Sequence, residues 1–282
     1  MNKLVDVFFK QEVSTHYSVK IMGVLNLSPE SFYKHSIVQS LESVKSRISH
    51  FINEGAEILD FGPKSTAPLN IYGNPNYISI KEEIKRLKIP LKAVSELNTD
   101  ILISIDTQSA EVANYGLENG AHIINDISGF KDPKMARIIA TYDAGSVIMS
   151  TKEKPGDMFL IEDIKKSLLM SISHAEDQGV DINKIILDPG IGGWVSTRLP
   201  ENDFEIIRRL SEIRVKPLPI LVSISRKSFI GAVLSLPPEE RLYGSISATA
   251  VAVVNGANII RTHDVRATRD AIRIAEKLRI QR

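Results

Sequence analysis

Short apolar runs of about four to six residues alternate along this chain with longer amphipathic stretches. Most of the short runs close on a polar residue and a turn rich in Gly, Pro, Ser or Thr. The runs are Lys20–Leu25, Glu57–Phe61, Ile101–Ile105, His122–Asn125, Ser146–Met149, Lys184–Leu187, Pro219–Ser223 and Asn258–Ile260. They read as continuous Ile, Leu and Val stretches, the pattern of strands covered on both faces. Helical spacing fills the gaps. Val38–Glu54 places Leu41, Val44, Ile48, Phe51 and Ile52 on one side, and Ser79–Leu97, Thr107–Asn119, Phe159–Gln178 and Asp264–Leu278 behave similarly.

Eight such strand–helix units predict an α/β fold, a (β/α)8 or TIM barrel. The rival is a doubly wound open sheet, which usually carries a glycine-rich fingerprint after its first strand. Here that strand runs into Asn26-Leu27-Ser28-Pro29. No linker or low-complexity segment divides the chain, so residues 1–282 are expected to form a single domain, with 1–18 as an N-terminal extension. Ser245–Ala257 is small and apolar nearly all round. A helix of that kind is either packed closely within the monomer or placed at a subunit interface.

Composition narrows the function classes. The net charge is +1, with no long block of like charge, so a nucleic-acid surface is not expected. Cysteine is absent, which removes disulfides, thiolate nucleophiles and Cys-based zinc sites. No run has the length of a membrane span, and Met1–Lys20 lacks the apolar core of a signal peptide. A cytoplasmic location without membrane association is the expectation.

A barrel of this type carries its chemistry where the strands end. The strand ends offer Asn26, Asp60, Asp106, Asn125, Asp188, the stretch Ser223 to Lys227, and Arg261 with His263. Each carboxylate or amide has a plainer reading as a cap for the following helix. Thr107 and Asp126 stand ready to take over that role beside Asp106 and Asn125, Asp188 precedes a Pro-Gly turn, and Asp60, inside LDFG, is open to a purely structural reading as well as a binding one. Taken together, the set suits a small polar heterocycle bearing an anion. A carboxylate accepts the adjacent N–H and amino groups of a 2-aminopyrimidinone in a forked pair, and an amide serves the rest of the ring. Ser225-Arg226-Lys227-Ser228 and Arg261-Thr262-His263-Asp264 follow strands seven and eight, the usual phosphate-binding end of such barrels.

At this point the motifs resemble a known family. IMGVLNLSPESF (Ile21–Phe32), GAEILDFGPKSTAP (Gly55–Pro68), SIDTQSAEVANYGLENGAHIINDISG, IILDPGIG, ISRKSFIG and NGANIIRTHDV are similar to the ordered signatures of dihydropteroate synthases, over roughly residues 20 to 277. The resemblance implies condensation of a dihydropterin diphosphate with p-aminobenzoate or a related aryl amine, with diphosphate leaving. It implies that Asp106, Asn125, Asp188 and Lys227 hold the pterin, and that Asn26, Arg261 and His263 hold the diphosphate. Asn26 would also ligate Mg2+, and Ser65 and Thr66 would sit near the amine. Asp106, Lys227, Arg261 and His263 are the implied catalytic groups, and a homodimer is the implied assembly.

Four departures from the family pattern fall on the loops. Lys34-His35-Ser36 replaces an Asp-Gly-Gly, Ala67 stands where an Arg is usual, Met149-Ser150 replaces Met-His, and Gly193 with Trp194 replaces a Phe. The new positive charges, Lys34 and Lys64, are candidates for the work of the missing Arg. A pterin-dependent methyltransferase and a non-catalytic pterin-binding protein are the alternatives left open by the altered loops.

Overall fold

Eight parallel strands follow one another around the sheet in the order β6-β5-β4-β3-β2-β1-β8-β7. The computed structural model describes residues 18–27, 40–64, 78–193 and 195–279. The strands are β1 (Lys20–Asn26), β2 (Ile58–Gly62), β3 (Leu102–Asp106), β4 (Ile123–Asp126), β5 (Gly145–Met149), β6 (Ile185–Asp188), β7 (Leu221–Ser223) and β8 (Ile259–Thr262). A parallel bridge from Leu187 to Ile220 joins the two ends of this order and closes the barrel. Staggers of two residues at β3–β4, β4–β5, β6–β7 and β8–β1 give the shear of about 8 that a (β/α)8 barrel requires.

Nine α-helices surround the barrel among the described residues. They are α1 (Leu41–Glu54), α2 (Ile80–Leu97), α3 (Ala110–Glu118), α4 (Met135–Thr141), α5 (Ile161–Asp177), α6 (Pro200–Arg208), α7 (Ser228–Leu234), α8 (Leu242–Val254) and α9 (Val265–Leu278). Both α7 and α8 lie between β7 and β8, so one unit carries an extra helix. Local chemistry explains the ends. Ser40 and Ser43 form a capping box at α1, and Gly55 closes it at φ 104°, a left-handed conformation that favours glycine. The third helix begins later than the amphipathic pattern from Thr107 suggests, because Ser109 is its cap: the Ser109 side chain accepts from Val112 N.

Two separate apolar layers hold the fold. The larger lies between strands and helices and includes Ile21, Leu59, Ile103, Ile124, Ile148, Ile185, Val222 and Ile260. Inside the barrel sits a second cluster with one residue from each strand: Met22, Ile58, Leu102, Ile123, Val147, Ile186, Leu221 and Ile259. Side chains in a strand repeat their direction every second residue. Two positions beyond each plug residue, the inward positions are therefore Val24, Asp60, Ser104, Asn125, Met149, Asp188, Ser223 and Arg261. Four beyond, they include Asn26, Asp106 and His263. The barrel interior thus changes from wholly apolar to largely polar within a single step toward its C-terminal mouth.

Segment Ser245–Ala257 lies mostly in α8, which buries Ser245, Thr249, Ala252 and Val253 against the barrel side. Its other side leaves Tyr243 at 77% exposure and Val251 at 49%, next to the exposed Val233 and Leu234 of α7. Small residues on this helix therefore serve close packing inward, while an apolar strip faces outward.

Candidate active site

Arg261, on β8, lies across the mouth of the barrel and joins two carboxylates from other strands. Its Nε donates to Asp60 Oδ2 at 2.7 Å and its Nη2 to Asp106 Oδ2 at 2.8 Å. Asn125 Nδ2 donates to the same Asp60 oxygen at 3.2 Å. Buried ions persist only when paired and hydrogen-bonded, and Arg261 balances the two acids here. Satisfaction is incomplete, however. Among the described residues, Asp60 Oδ1, Asp106 Oδ1 and Asn125 Oδ1 are buried acceptors without a hydrogen-bond donor. Native interiors leave few such atoms, and three together make a surface suited to a ligand edge rich in N–H groups.

Electrostatics agree with that reading. Burial pushes the Asp106 carboxyl up to about 7; the Arg261 guanidinium opposes the rise, and Asp60, Asp126 and Glu83 add to it. Asp188 is raised by burial and held back by Lys227 and by the Gly190 N–H. Burial lowers Lys227 to about 8, against the attraction of Asp188. Lys227 sits at the start of α7, and its Nζ donates to the Ile191 carbonyl in the β6–α6 loop. A carboxylate and an ammonium thus stand near their switching points in one water-poor mouth, which is where pKa perturbation points to chemistry.

Beside Asp106 and Asn125 the local backbone is held by neighbouring residues. Ser109, not Thr107, caps α3; Thr107 Oγ1 instead accepts from Ser109 N. Asp126 takes the loop backbone after β4, accepting from Ser128 N at 2.7 Å and Phe130 N at 3.0 Å. Asp106 and Asn125 are thereby released to the barrel interior. Asp188 does hold its own turn, since its Oδ1 accepts from Gly190 N at 2.7 Å.

Two strand-end residues are tied to partners that their own segments do not show. Asp60 is wholly buried in the polar layer, where its carboxylate pairs with Arg261. The signal was its parity with Ile58, which puts its carboxylate inward. Arg226, by contrast, is engaged by the protein itself. Its Nε and Nη2 pair with the two oxygens of Asp264 at 2.8 Å each, and its Nη1 donates to the Pro238 and Glu239 carbonyls. It ties the β7 and β8 loops together from φ 59°.

His263 meets Asn26 across 3.4 Å, and its Nδ1 lies 3.0 Å from Ser225 Oγ. Burial, reinforced by Arg261, lowers its pKa to about 3. His263 is therefore a neutral hydrogen-bonding partner at physiological pH, not a second cation beside Arg261. Among the described residues no three His, Cys, Asp or Glu side chains group as a metal site. The protein's contribution to a divalent ion at Asn26 would be one neutral amide oxygen. That donor set fits Mg2+ only as an ion held chiefly by substrate phosphates and water, its usual mode.

The loop positions are partly described. Ser65, Thr66, Lys34, Ala67 and Trp194 lie outside the described residues. Lys64 is described, and its charge counters the rise that burial imposes on the Glu83 carboxyl. Ser150, which stands where the family usually has His, donates from Oγ to the Pro189 carbonyl at 2.9 Å and braces β5 against the β6 loop.

Residues 22–263 match the family of pterin binding enzymes. A dihydropteroate synthase of Clostridium beijerinckii is 38% identical over 247 residues, covering 87% of this chain and 88% of its own. That of Escherichia coli K12 is 33% identical over 263 residues, 91% of this chain and 90% of its own. The crystal structure of dihydropteroate synthase from Clostridium difficile with pteroic acid has a TM-score of 0.83 at 35% identity, covering 93% of this chain and 98% of that one. The Thermus thermophilus enzyme in complex with 6HMPPP has a TM-score of 0.76 at 33% identity, covering 93% and 94%. Barrel, site and sequence likeness agree, and the chain belongs to the pterin-binding enzyme family.

Proposed function

We propose that this protein is a dihydropteroate synthase, a transferase that joins 6-hydroxymethyl-7,8-dihydropterin diphosphate to p-aminobenzoate or a related aryl amine. The observation that carries the reading is the buried mouth in which acceptors of Asp106 and Asn125 stand without donors, beside Arg261 and Lys227. A reduced pterin brings N–H groups to such acceptors, and its diphosphate brings charge to the cations. In the reaction the bond from the 6-methylene carbon to the diphosphate oxygen breaks, and the electron pair leaves with diphosphate. The amine nitrogen then bonds to that carbon and loses one proton to solvent.

In this reading Asp106, Asn125, Asp188 and Lys227 hold the pterin ring, and Asn26, Arg261 and His263 receive the diphosphate. Asp106 offsets positive charge on the ring as the leaving group departs, and Arg261 meets the leaving anion. Fixed charges aimed at a developing ion pair lower the barrier without any nucleophilic side chain. Asn26 would be the protein's ligand to Mg2+ held chiefly by the diphosphate, and the ion would supply further charge neutralisation. Ser65 and Thr66 belong near the amine, and Lys64 or Lys34 supplies the positive charge that Ala67 lacks.

The outward strip of α7 and α8 is the expected contact with a second copy, giving a homodimer. No described helix is long and apolar enough to cross a membrane, and a cytoplasmic location remains part of the proposal. A pterin-dependent methyl transfer would have no use for the cations at the mouth, so that alternative is not favoured. Incubation with the dihydropterin diphosphate, Mg2+ and p-aminobenzoate should release diphosphate and form dihydropteroate in equal amounts. Tight pterin binding with no release from any aryl amine would contradict the proposal.

A further inference from the structure

One buried ion pair lies outside the ring-binding residues and yet is tied to them. Arg198, in the β6–α6 loop, has a fully buried side chain, as does Asp203 in the first turn of α6. Arg198 Nε donates to Asp203 Oδ1 at 2.9 Å, and its Nη1 donates to the Gly156 and Met158 carbonyls of the β5–α5 loop, at 3.1 Å each. The same Asp203 oxygen accepts from Gly192 N at 2.8 Å. The pair therefore clamps two βα loops together and fixes the backbone of the second.

That backbone leads directly to the ring site. Gly190 N is held by Asp188 Oδ1, the Ile191 carbonyl accepts from Lys227 Nζ, and Gly192 N is held by Asp203. Three consecutive residues are thus pinned, two of them by ring-binding side chains and the third by the ion pair. A desolvated ion pair is an expensive way to hold a loop unless its geometry serves something further.

We infer that Arg198 and Asp203 are positioning residues for pterin binding: by fixing Gly192, they hold the Ile191 carbonyl where it orients Lys227 opposite Asp188. This rests on the function proposed above. It predicts a loss in pterin affinity with little change at the amine, because the pinned groups are those assigned to the ring. The charges also act on Lys227 directly. Lys227 is faced by Asp188 and Asp203, which raise its pKa, and by Arg261 and Arg198, which lower it further. Removing Asp203 should move its titration down, and removing Arg198 should move it up.

The test measures dihydropterin diphosphate binding by calorimetry, alongside the amine KM, in Asp203→Ala, Arg198→Met and the double variant. The double variant leaves no unpaired buried charge, so it keeps the experiment usable if a single variant fails to fold. Expected is a pterin Kd weaker by about tenfold in the folded double variant, with the amine KM within about twofold, the size of one charge-assisted hydrogen bond. The basic limb of pterin affinity, set by Lys227, should shift to lower pH in Asp203→Ala and to higher pH in Arg198→Met. A folded double variant that binds the pterin like the unsubstituted chain would overturn the inference, as would limbs that move in the same direction. Failure of the unsubstituted chain to bind the pterin would remove the proposed function and this inference together. Binding without diphosphate release would remove only the former.

Discussion

Asp60 and Arg261, 201 positions apart in sequence, form a 2.7 Å ion pair inside the barrel, with the carboxylate wholly shielded from solvent. The same guanidinium reaches Asp106, so β2, β3 and β8 are electrostatically joined above the apolar plug. Breaking a buried pair from one side leaves the other charge uncompensated. Asp60→Ala should therefore lower unfolding stability by about 3 kcal/mol, measured by urea denaturation. A change under about 1 kcal/mol would show that Asp106 alone satisfies Arg261.

Binding of the pterin should follow a bell-shaped pH dependence with its optimum between about 7 and 8. Below the Asp106 value of about 7 the carboxylate gains a proton and loses both its charge and an acceptor. Above the Lys227 value of about 8 the ammonium loses its proton and no longer balances Asp188. The limbs describe the interacting groups jointly, yet Asp106→Asn should abolish the acid limb. Calorimetric affinities from pH 5 to 10 decide this, and a flat profile would rule out the assignment.

Arg226 and Arg261 should part company on mutation, although both stand in basic strings after the last strands. Arg226→Ala removes a buried forked pair with Asp264 and should cost about 3 kcal/mol of stability while leaving KM for the pterin diphosphate within about threefold in folded protein. Arg261→Lys should cost far more in kcat/KM than in stability, because a lysine keeps charge but loses the bridging geometry. Equal kinetic losses in both would return Arg226 to the anion site.

Replacing both Lys34 and Lys64 with Ala should raise the KM for p-aminobenzoate strongly, by about tenfold if one charge-assisted contact is lost, with the pterin KM little changed. Steady-state kinetics with each substrate varied in turn provide the measurement. Unchanged amine kinetics would exclude a substitute cation for the position held by Ala67.

Chelation of Mg2+ should suppress diphosphate release while leaving the binding of a pterin without phosphates unaffected, because Asn26 offers the ion a single neutral oxygen. Loss of phosphate-free pterin binding on chelation would argue instead for a protein-held metal.

Much of this architecture was legible in the chain because doubly covered strands must be apolar and must end in polar residues where the mouth opens. The run ending at Asp106 or Asp188 shows both facts at once. What one strand does not reveal is which carboxylate meets which cation. Asp60 is open to both readings in the sequence because LDFG carries no sign of Arg261, which joins it only through the stagger of the closed barrel. Arg226 misled for the converse reason: its partner Asp264 lies one unit later, and a basic residue in a phosphate-binding stretch looks the same whether paired or not. The Arg198–Asp203 clamp was equally silent, since a separation of five positions from loop into helix start carries no periodic signal.

The most direct test of the central claim is the affinity of the dihydropterin diphosphate for the unsubstituted chain and for Asp188→Asn, compared at pH 7.5. Substituting an amide for a ring-gripping carboxylate should weaken binding by about 1.5–3 kcal/mol, roughly ten- to a hundredfold, while the folded state persists. Equal affinities in the two proteins would mean that the acidic floor of the barrel does not hold the pterin.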